Sequence, residues 1–214
     1  MRIDPAGWPF ILGSAAVALV GGALGGPWWA VPGAAAVAVC LFFFRDPDRI
    51  IQAAPGAVLS PADGKVMAAG PPPGRNVPAG QWQQITIFLS PMDVHVNRIP
   101  MGGRVSHVEY HPGRYLPAYR QDAGDLNEYT EIWVDQGPRR LVVRQIVGVL
   151  ARRIVCRTKV GAVVETGERY GVMKFGSRMD VFLPLDASIH VAPGDRVVGG
   201  ITVLATLPLM EPVA

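Results

Sequence analysis

One dipeptide in the chain, Gly176-Ser177, has the residue types needed for the backbone to react with itself. Apolar sequence rich in β-formers flanks it on both sides. A Gly-Ser pair ordinarily marks a turn, because glycine adopts positive φ at little cost. The alternative is attack by the Ser177 hydroxyl on the preceding carbonyl, which glycine leaves uncovered because it has no Cβ. That attack turns an amide into an ester and requires a base, such as a histidine oriented by a carboxylate.

Two further residues have side chains suited to support such an attack. Asp63 lies in an Asp-Gly turn, where a carboxylate ordinarily caps local amides. His95 follows a strand-like run, where a lone histidine is more often structural than catalytic, but its polar neighbours Asp93, Asn97 and Arg98 raise the chance of a functional role. His95 is therefore a candidate base, and a turn former is the simpler interpretation of Asp63.

A polar pair, Asn127-Glu128, precedes another strand-like run. Loops carry many binding residues, so the pair is a candidate site. A loop carboxylate without chemical consequence is the simpler interpretation of Glu128.

The sequence argues against a metal centre and against a serine hydrolase. The four histidines form neither His-x-His nor His-Glu-x-x-His, and no cysteine pair supports zinc. Ser177 lacks the Gly-x-Ser-x-Gly motif, and a strand-rich chain offers no strand-to-helix turn to display a nucleophile. We therefore expect no metal cofactor.

Charge and cysteine content give coarser limits. The formal net charge of +3 indicates no class of partner by itself. A local basic cluster is either a solvated strand face or a contact for an anionic surface. Two cysteines cannot form a disulfide framework, which favours a reducing compartment. The basic cluster comprises Arg139, Arg140, Arg144, Arg152, Arg153, Arg157 and Lys159.

The N-terminal segment predicts a membrane-associated helical hairpin. Residues 8–44 contain no charged side chain, and Gly25-Gly26-Pro27 divides them into two arms. Each arm is about 17 residues, the low edge of the ~17–25 that span a bilayer as a helix, so spanning and shallow insertion both remain open. Basic residues before and after the pair, Arg2 and Arg45, predict that both ends lie in the cytoplasm. The second arm disfavours a secretory signal peptide.

The remaining sequence, residues 46–214, predicts a mainly β domain after a membrane domain at 1–45. Residues 84–89 alternate apolar and other side chains with period two, and residues 148–155 are the best helical candidate. Residues 57–67 predict a strand, an Asp-Gly turn and a strand. Further strand-like runs occupy residues 104–110, 131–134, 141–149 and 181–183.

The C-terminal tail indicates the type of β architecture. The spacing of valine, glycine and aspartate in residues 188–205, with two hairpin-like turns, resembles the barrel-sandwich hybrid of lipoyl and biotinyl carriers. Lys65 lacks the flanking methionine that those carriers show, which argues against a carrier function. The predicted fold is therefore a barrel-sandwich-hybrid-like, mainly β domain preceded by a hydrophobic helical hairpin.

Several motifs together resemble phosphatidylserine decarboxylase proenzymes in their short, archaeal-like form. The resemblance extends from about Phe42 to about Leu204, and the apolar N-terminus fits the membrane-associated segment of that family. The motifs are Phe175-Gly176-Ser177 preceded by Glu168-Arg169-Tyr170-Gly171, the block of residues 90–98, the turn Pro61-Ala62-Asp63-Gly64, and Asn127-Glu128.

The resemblance implies self-cleavage between Gly176 and Ser177. A β subunit of residues 1–176 and an α subunit of residues 177–214 would come from one precursor, and Ser177 would become a pyruvoyl group. Asp63 and Ser177 match the acid and the nucleophile of the family's processing triad.

The histidine of that triad departs from the pattern of longer members. The triad position aligns with Arg98, whereas His95 aligns with a second histidine that is linked to decarboxylation. The resemblance therefore assigns His95 to processing, to decarboxylation or to both. Arg98, Asn127 and Glu128 are the expected substrate contacts.

The implied reaction is decarboxylation of phosphatidylserine to phosphatidylethanolamine and CO2. A Schiff base would join the substrate amine to the pyruvoyl carbonyl, with His95 returning a proton to the α-carbon. The implied partners are phosphatidylserine and the bilayer, with the catalytic domain on the cytoplasmic side and no nucleic acid; homo-oligomer formation stays open. The alternative is a membrane-tethered β-sandwich that binds lipid or protein without chemistry.

Overall fold

The computed structural model describes residues 1–149, 153–174 and 176–208. The chain forms two compact units, Met1–Asp48 and Arg49–Ala214. The mainly β fold class predicted from the sequence, with an apolar helix pair at the N-terminus, is confirmed.

The first unit is a helical hairpin. Helix α1 (Trp8–Gly25) follows a short 3-10 turn, and α2 (Pro27–Phe43) begins after Gly26, whose φ of 85° reverses the chain. Strand β1 (Arg2–Ile3) pairs with β2 (Arg45–Asp46) at the ends of the hairpin.

The apolar character of this hairpin fits association with a membrane. Residues Pro5–Gly25 form a helix of 21 residues with a mean hydropathy of 1.6, which is long and apolar enough to cross a membrane. The second helix, of 17 residues, is shorter. Small residues allow close packing, because a Cβ on Gly33 would lie 2.5 Å from the backbone of Ala18.

The second unit consists of antiparallel sheets. An eight-stranded sheet has the order β11-β7-β8-β9-β13-β5-β4-β15, and two three-stranded sheets have the orders β10-β12-β6 and β14-β16-β3. The strands are β3 (Ala57–Leu59), β4 (Gly64–Gly70), β5 (Gln83–Leu89), β6 (Val96–Arg98), β7 (Gly103–His111), β8 (Tyr129–Gln136), β9 (Arg139–Val147), β10 (Ile154–Cys156), β11 (Val163–Val164), β12 (Arg169–Met173), β13 (Ser177–Leu183), β14 (Ser188–Ile189), β15 (Arg196–Val197) and β16 (Val203–Thr206), with one short helix α3 (Ala123–Leu126).

The core of this unit follows from period-two alternation along the central strands. In β5, Ile85 and Ile87 point into the hydrophobic core, as the alternation predicts, and Met179 and Val181 of β13 do the same. The opposite face of β13 is buried as well, because loops and α3 cover it. Strand β13 therefore lies in the middle of the sheet with no exposed face.

The strand, Asp-Gly turn and strand predicted for residues 57–67 are present as β3 and β4, and the two strands pair with other partners, β3 with β16 and β4 with β5 and β15. The helix predicted for residues 148–155 is wrong at its C-terminal end. Within residues 148–155, Ile154 and Val155 belong to strand β10, which pairs with β12, while residues 150–152 lie outside the described residues. β-Branched side chains favour that strand.

Candidate active site

The Gly176-Ser177 peptide lies at the point where β13 begins. Ser177 is the first residue of the strand and pairs with Leu89 on one side and Val147 on the other. Gly176, with φ of 71°, precedes this ladder in the left-handed conformation that favours glycine. The preceding Phe175 lies outside the described residues. The peptide is thus fixed on its C-terminal side and turned sharply on its N-terminal side.

The hydroxyl of Ser177 is buried without a hydrogen-bond partner. The residue has no exposed surface, and within the described part of the chain Oγ contacts no donor or acceptor. Most buried hydroxyl groups are hydrogen-bonded, and leaving one unpaired costs about 1–3 kcal/mol. A serine that carries this cost is a candidate for chemistry.

The imidazole of His95 lies directly beside this peptide. His95 is fully buried, and its Nδ1 is 2.9 Å from the carbonyl oxygen of Asp93, so Nδ1 carries the proton and donates it. The other nitrogen, Nε2, accepts a hydrogen bond from the Gly176 N–H at 3.3 Å. The ring nitrogen that contacts Gly176, the residue before Ser177, is therefore unprotonated. An imidazole needs such a nitrogen to act as a base.

The predicted acid, Asp63, has different partners. Its two carboxylate oxygens accept hydrogen bonds from Arg49 at 2.7 and 2.8 Å, and one also accepts the Gly199 N–H at 2.8 Å. The group that orients His95 is instead the backbone carbonyl of Asp93. Sequence reasoning missed Arg49, which lies near the boundary between the two units with no motif around it.

Arg98 lies close to the Asp63 turn. Its backbone N–H donates to the Pro61 carbonyl, and its guanidinium donates to the Gly167 carbonyl at 3.0 Å. The side chain is almost fully buried. These contacts connect the turn at residues 61–64 to the backbone at Gly167, so Arg98 stabilises the fold in this region.

Asn127 connects a loop to the strand next to Ser177. Its side-chain amide donates to the carbonyls of Leu116 and Val147 at 2.8 Å and accepts the Leu116 N–H at 2.9 Å. Val147 is the cross-strand partner of Ser177. Asn127 therefore fixes the loop that borders the candidate site.

Glu128 belongs to a tyrosine cluster. Tyr115 donates its hydroxyl to Oε2 at 2.6 Å. A hydrogen bond to the same carboxylate, with a smaller effect from burial, raises the pKa of Tyr110. The contacts of Glu128 are thus with two phenol groups.

A small cavity opens at the candidate cleavage site. Its volume is about 140 Å³, and its lining is mostly apolar. A Cβ on Gly148 would lie 2.4 Å from the carbonyl oxygen of Gly176, so glycine at 148 keeps space for the carbonyl that would be attacked. Sequence reasoning missed this residue. The lining residues are Phe88, Pro91, Pro117, Ala118, Tyr119, Gly148, Val149 and Gly176.

The two faces of β13 differ in their polar contacts. We call the face with Ser177 and Met179 the core face, and the face with Arg178 and Asp180 the ion-pair face. Arg178 binds Asp180 through two hydrogen bonds of 2.7 and 2.8 Å, and on the same face Arg144 binds Glu131 at 2.5 Å. All four of these side chains are buried.

The basic cluster predicted from the sequence is divided by the fold. Arg144 is buried in its pair with Glu131, so it cannot contact an external anion. Arg140 pairs with Asp135 at 2.7 Å on the exposed strand surface. Arg152 lies outside the described residues. The members after residue 156 border a separate cleft. In residues 1–149, 153–174 and 176–208, no group of three histidine, cysteine or acidic side chains could hold a metal ion.

Comparison with known proteins assigns the family. Residues 37–205 match the family model described as phosphatidylserine decarboxylase. The phosphatidylserine decarboxylase proenzyme of Symbiobacterium thermophilum is 43% identical over 206 residues, which cover 94% of each chain. The proenzyme of Granulibacter bethesdensis is 42% identical, over 95% of this chain and 84% of its own. The proenzyme of Nocardia farcinica is 40% identical, over 96% of this chain and 87% of its own. The chain therefore belongs to the phosphatidylserine decarboxylase family.

Proposed function

We propose that the chain is a phosphatidylserine decarboxylase proenzyme that cleaves its own backbone between Gly176 and Ser177. The observation that carries the proposal is the buried, unpartnered Ser177 hydroxyl next to a peptide whose N–H binds His95. The large majority of buried hydroxyl groups in proteins have a partner, so a serine without one is unusual. The family assignment supports the same site, because the relatives are named as proenzymes.

Cleavage begins with attack of Ser177 Oγ on the carbonyl carbon of Gly176. His95 Nε2 exchanges its hydrogen bond from Gly176 N–H for one from the Ser177 hydroxyl and accepts the hydroxyl proton. It returns this proton to the amide nitrogen of Ser177 as the C–N bond breaks, which leaves an ester and a free amine. Loss of the Ser177 α-proton then breaks the Cβ–Oγ bond, releasing Gly176 as a carboxylate and leaving dehydroalanine. Water displaces the nitrogen as ammonia, and the new N-terminus is a pyruvoyl group.

The local geometry favours this route in three ways. Gly176 presents no Cβ over its carbonyl, and the ideal Cβ position is open space. Gly148 leaves room beside the carbonyl oxygen. Strand β13 holds Ser177 between two neighbours, so the nucleophile does not move away from the peptide that it attacks.

The residues around Ser177 also fit a pyruvoyl group at that position. The site is closed to solvent at residue 177 and opens on the apolar cavity at Gly176. Such a group supplies an electrophilic carbonyl for the substrate amine and an electron sink for the pair released with CO2. His95, which lies beside it, would return to the substrate α-carbon a proton that Nε2 takes up during the reaction.

The N-terminal hairpin fits a substrate that stays in the bilayer. An apolar helix long enough to span the membrane would hold the β domain at its surface, and we place that domain on the cytoplasmic side because Arg2 and Arg45 flank the hairpin. The role of Asp63 in processing stays a prediction. The same holds for substrate binding by Arg98, Asn127 and Glu128.

The test is CO2 release from phosphatidylserine in mixed micelles by the purified full-length chain. The wild-type chain should release CO2, and Ser177→Ala should release none above background. Ser188→Ala changes an exposed serine in β14 and is the matched control, with activity like that of wild type. CO2 release by Ser177→Ala equal to that of an active wild type would exclude the role proposed for Ser177, and no release from the wild type would favour the non-catalytic, membrane-tethered module.

A further inference from the structure

A second cleft lies between the segment after β10 and strand β12. Its volume is about 180 Å³, below the roughly 300–1,000 Å³ of sites for drug-sized molecules. Three basic side chains line it: Arg157, Lys159 and Arg169. The proposed cleavage reaction does not use any of them. The cleft therefore has the size and the charge for a small anion.

Two residues that line this cleft have buried hydroxyl groups without a hydrogen-bond partner in the described part of the chain. They are Oγ1 of Thr158 and the phenol of Tyr170. Tyr170 is only 2% exposed, and its burial raises the pKa of the phenol well above the usual value, so the group stays protonated and can donate. Two unpaired donors at one cleft are costly unless a ligand accepts from them.

The acidic residue at the cleft faces elsewhere. Glu168 lines the cleft, but its Oε2 accepts the backbone N–H of Glu165 at 2.8 Å in the adjacent turn. The described lining of the cleft thus contains three basic side chains and one carboxylate. Guanidinium and hydroxyl donors together match the oxygens of a phosphate group, which accept several hydrogen bonds at once.

We propose that this cleft is a phosphate-binding site, formed by Thr158, Tyr170 and the three basic side chains. The phosphate group belongs either to a phospholipid headgroup or to free phosphate, since both present the same oxygens. The site is separate from the proposed function, because it uses neither Ser177 nor His95.

The test measures the melting temperature of the full-length Ser177→Ala chain, so that cleavage and decarboxylation do not affect the result. One arm adds inorganic phosphate at constant ionic strength, with chloride as the reference. The other arm adds phosphatidic acid to phosphatidylcholine–detergent micelles, with phosphatidylcholine alone as the reference. A specific site predicts a saturable rise in melting temperature. A rise with inorganic phosphate identifies free phosphate as a ligand, and a rise with phosphatidic acid alone identifies the lipid headgroup.

Tyr170→Phe gives the sharpest variant because it removes only the unpaired hydroxyl. Without ligand it should melt at a temperature equal to or above that of its parent, and it should bind phosphate roughly tenfold more weakly. Lys159→Gln should weaken binding as well, whereas the charge-matched control Arg139→Gln, outside this cleft, should not. A full response in Tyr170→Phe, an equal loss in Arg139→Gln, or no rise in either arm would overturn the proposal.

Discussion

The core face and the ion-pair face of β13 are both buried, yet they satisfy their polar groups in opposite ways. On the ion-pair face, the guanidinium of Arg178 and the carboxylate of Asp180 bind each other, and Thr86 donates to the same carboxylate at 2.9 Å. On the core face, Ser177 Oγ has no partner among the residues that the structure describes, and Oε1 of Gln145, opposite Met179, has none among them either.

This difference separates polar groups that stabilise a fold from polar groups that react. Buried charges are retained only when each finds a partner, so the ion-pair face can be explained by folding alone. The unpaired hydroxyl on the core face lowers the stability of the folded precursor, because its burial is not offset by a hydrogen bond. We infer that its benefit lies in the cleavage reaction, which consumes it.

The largest expected effect concerns the base on the core face. In His95→Gln, an amide can still accept from Gly176 N–H but cannot take a proton, so cleavage should slow by about 10²–10⁴-fold. The fraction of uncut chain on a denaturing gel, followed after cell-free synthesis, measures this rate. His190→Gln changes an exposed histidine and should cleave at the wild-type rate.

This variant also separates the two roles that the sequence leaves open for His95. Chain that stays uncut identifies His95 as the processing base. Normal cleavage with lost CO2 release limits it to the later proton transfer. Normal cleavage and normal CO2 release together would contradict both roles.

The second prediction concerns stability on the ion-pair face. Arg144→Met leaves the buried Glu131 carboxylate without its cationic partner and, among the described residues, with only the Trp133 Nε1–H as a side-chain donor, so it should lower the free energy of unfolding by about 3–5 kcal/mol. Urea denaturation of the uncut Ser177→Ala chain measures this change on a single polypeptide. The control Arg140→Met breaks an exposed pair with Asp135 and should cost about 0–1 kcal/mol. Equal losses in both variants would remove the distinction between buried and surface pairs.

The third prediction compares two glycines in the left-handed region. Gly176 and Gly161 have φ of 71° and 88°, and a Cβ at either would meet no atom within 4 Å. Alanine at each position should therefore cost a similar 1–2 kcal/mol or so of backbone strain. Only Gly176→Ala should also slow self-cleavage, because its Cβ lies beside the carbonyl that is attacked. Equal cleavage rates in the two variants would contradict the role assigned to Gly176.

The smallest expected effect is a pH dependence at the surface. A hydrogen bond from Arg140 lowers the pKa of Asp135 in the folded chain. The stability from this pair is therefore present above the unfolded pKa, near 3.9, and is lost as the pH falls through the lower folded value. Arg140→Gln should remove this contribution, which is roughly 0.2–1 kcal/mol. Melting temperatures of both chains from neutral to acid pH measure it, and identical pH profiles would contradict the pairing.

Local patterns in the sequence were sufficient for the hairpin and for most strands. The uncharged run of residues 8–44 predicted α1 and α2, and the alternation in residues 84–89 predicted β5, because both depend on side chains close together in the chain. The Gly176-Ser177 pair was also visible, since its chemistry depends on adjacent residues.

Contacts between distant residues could not be predicted in this way. Asp63 pairs with Arg49 across 14 residues and with Gly199 across 136 residues, so both contacts depend on how the chain folds back rather than on adjacent side chains. The space that Gly148 leaves for Gly176 depends on the register between β9 and β13. The strand at residues 154–156 exists because β12 pairs with it, and a short run of isoleucine and valine does not distinguish that partner from a helix.

The intact mass of the purified full-length protein tests the central claim most directly. Wild type should give two fragments, 1–176 and 177–214, with the smaller one lighter than its sequence mass by the elements of ammonia, as a pyruvoyl N-terminus requires. Ser177→Ala should give one uncut chain. A wild-type preparation that is active yet contains only the uncut chain, or a smaller fragment that begins with an unmodified serine, would contradict the account.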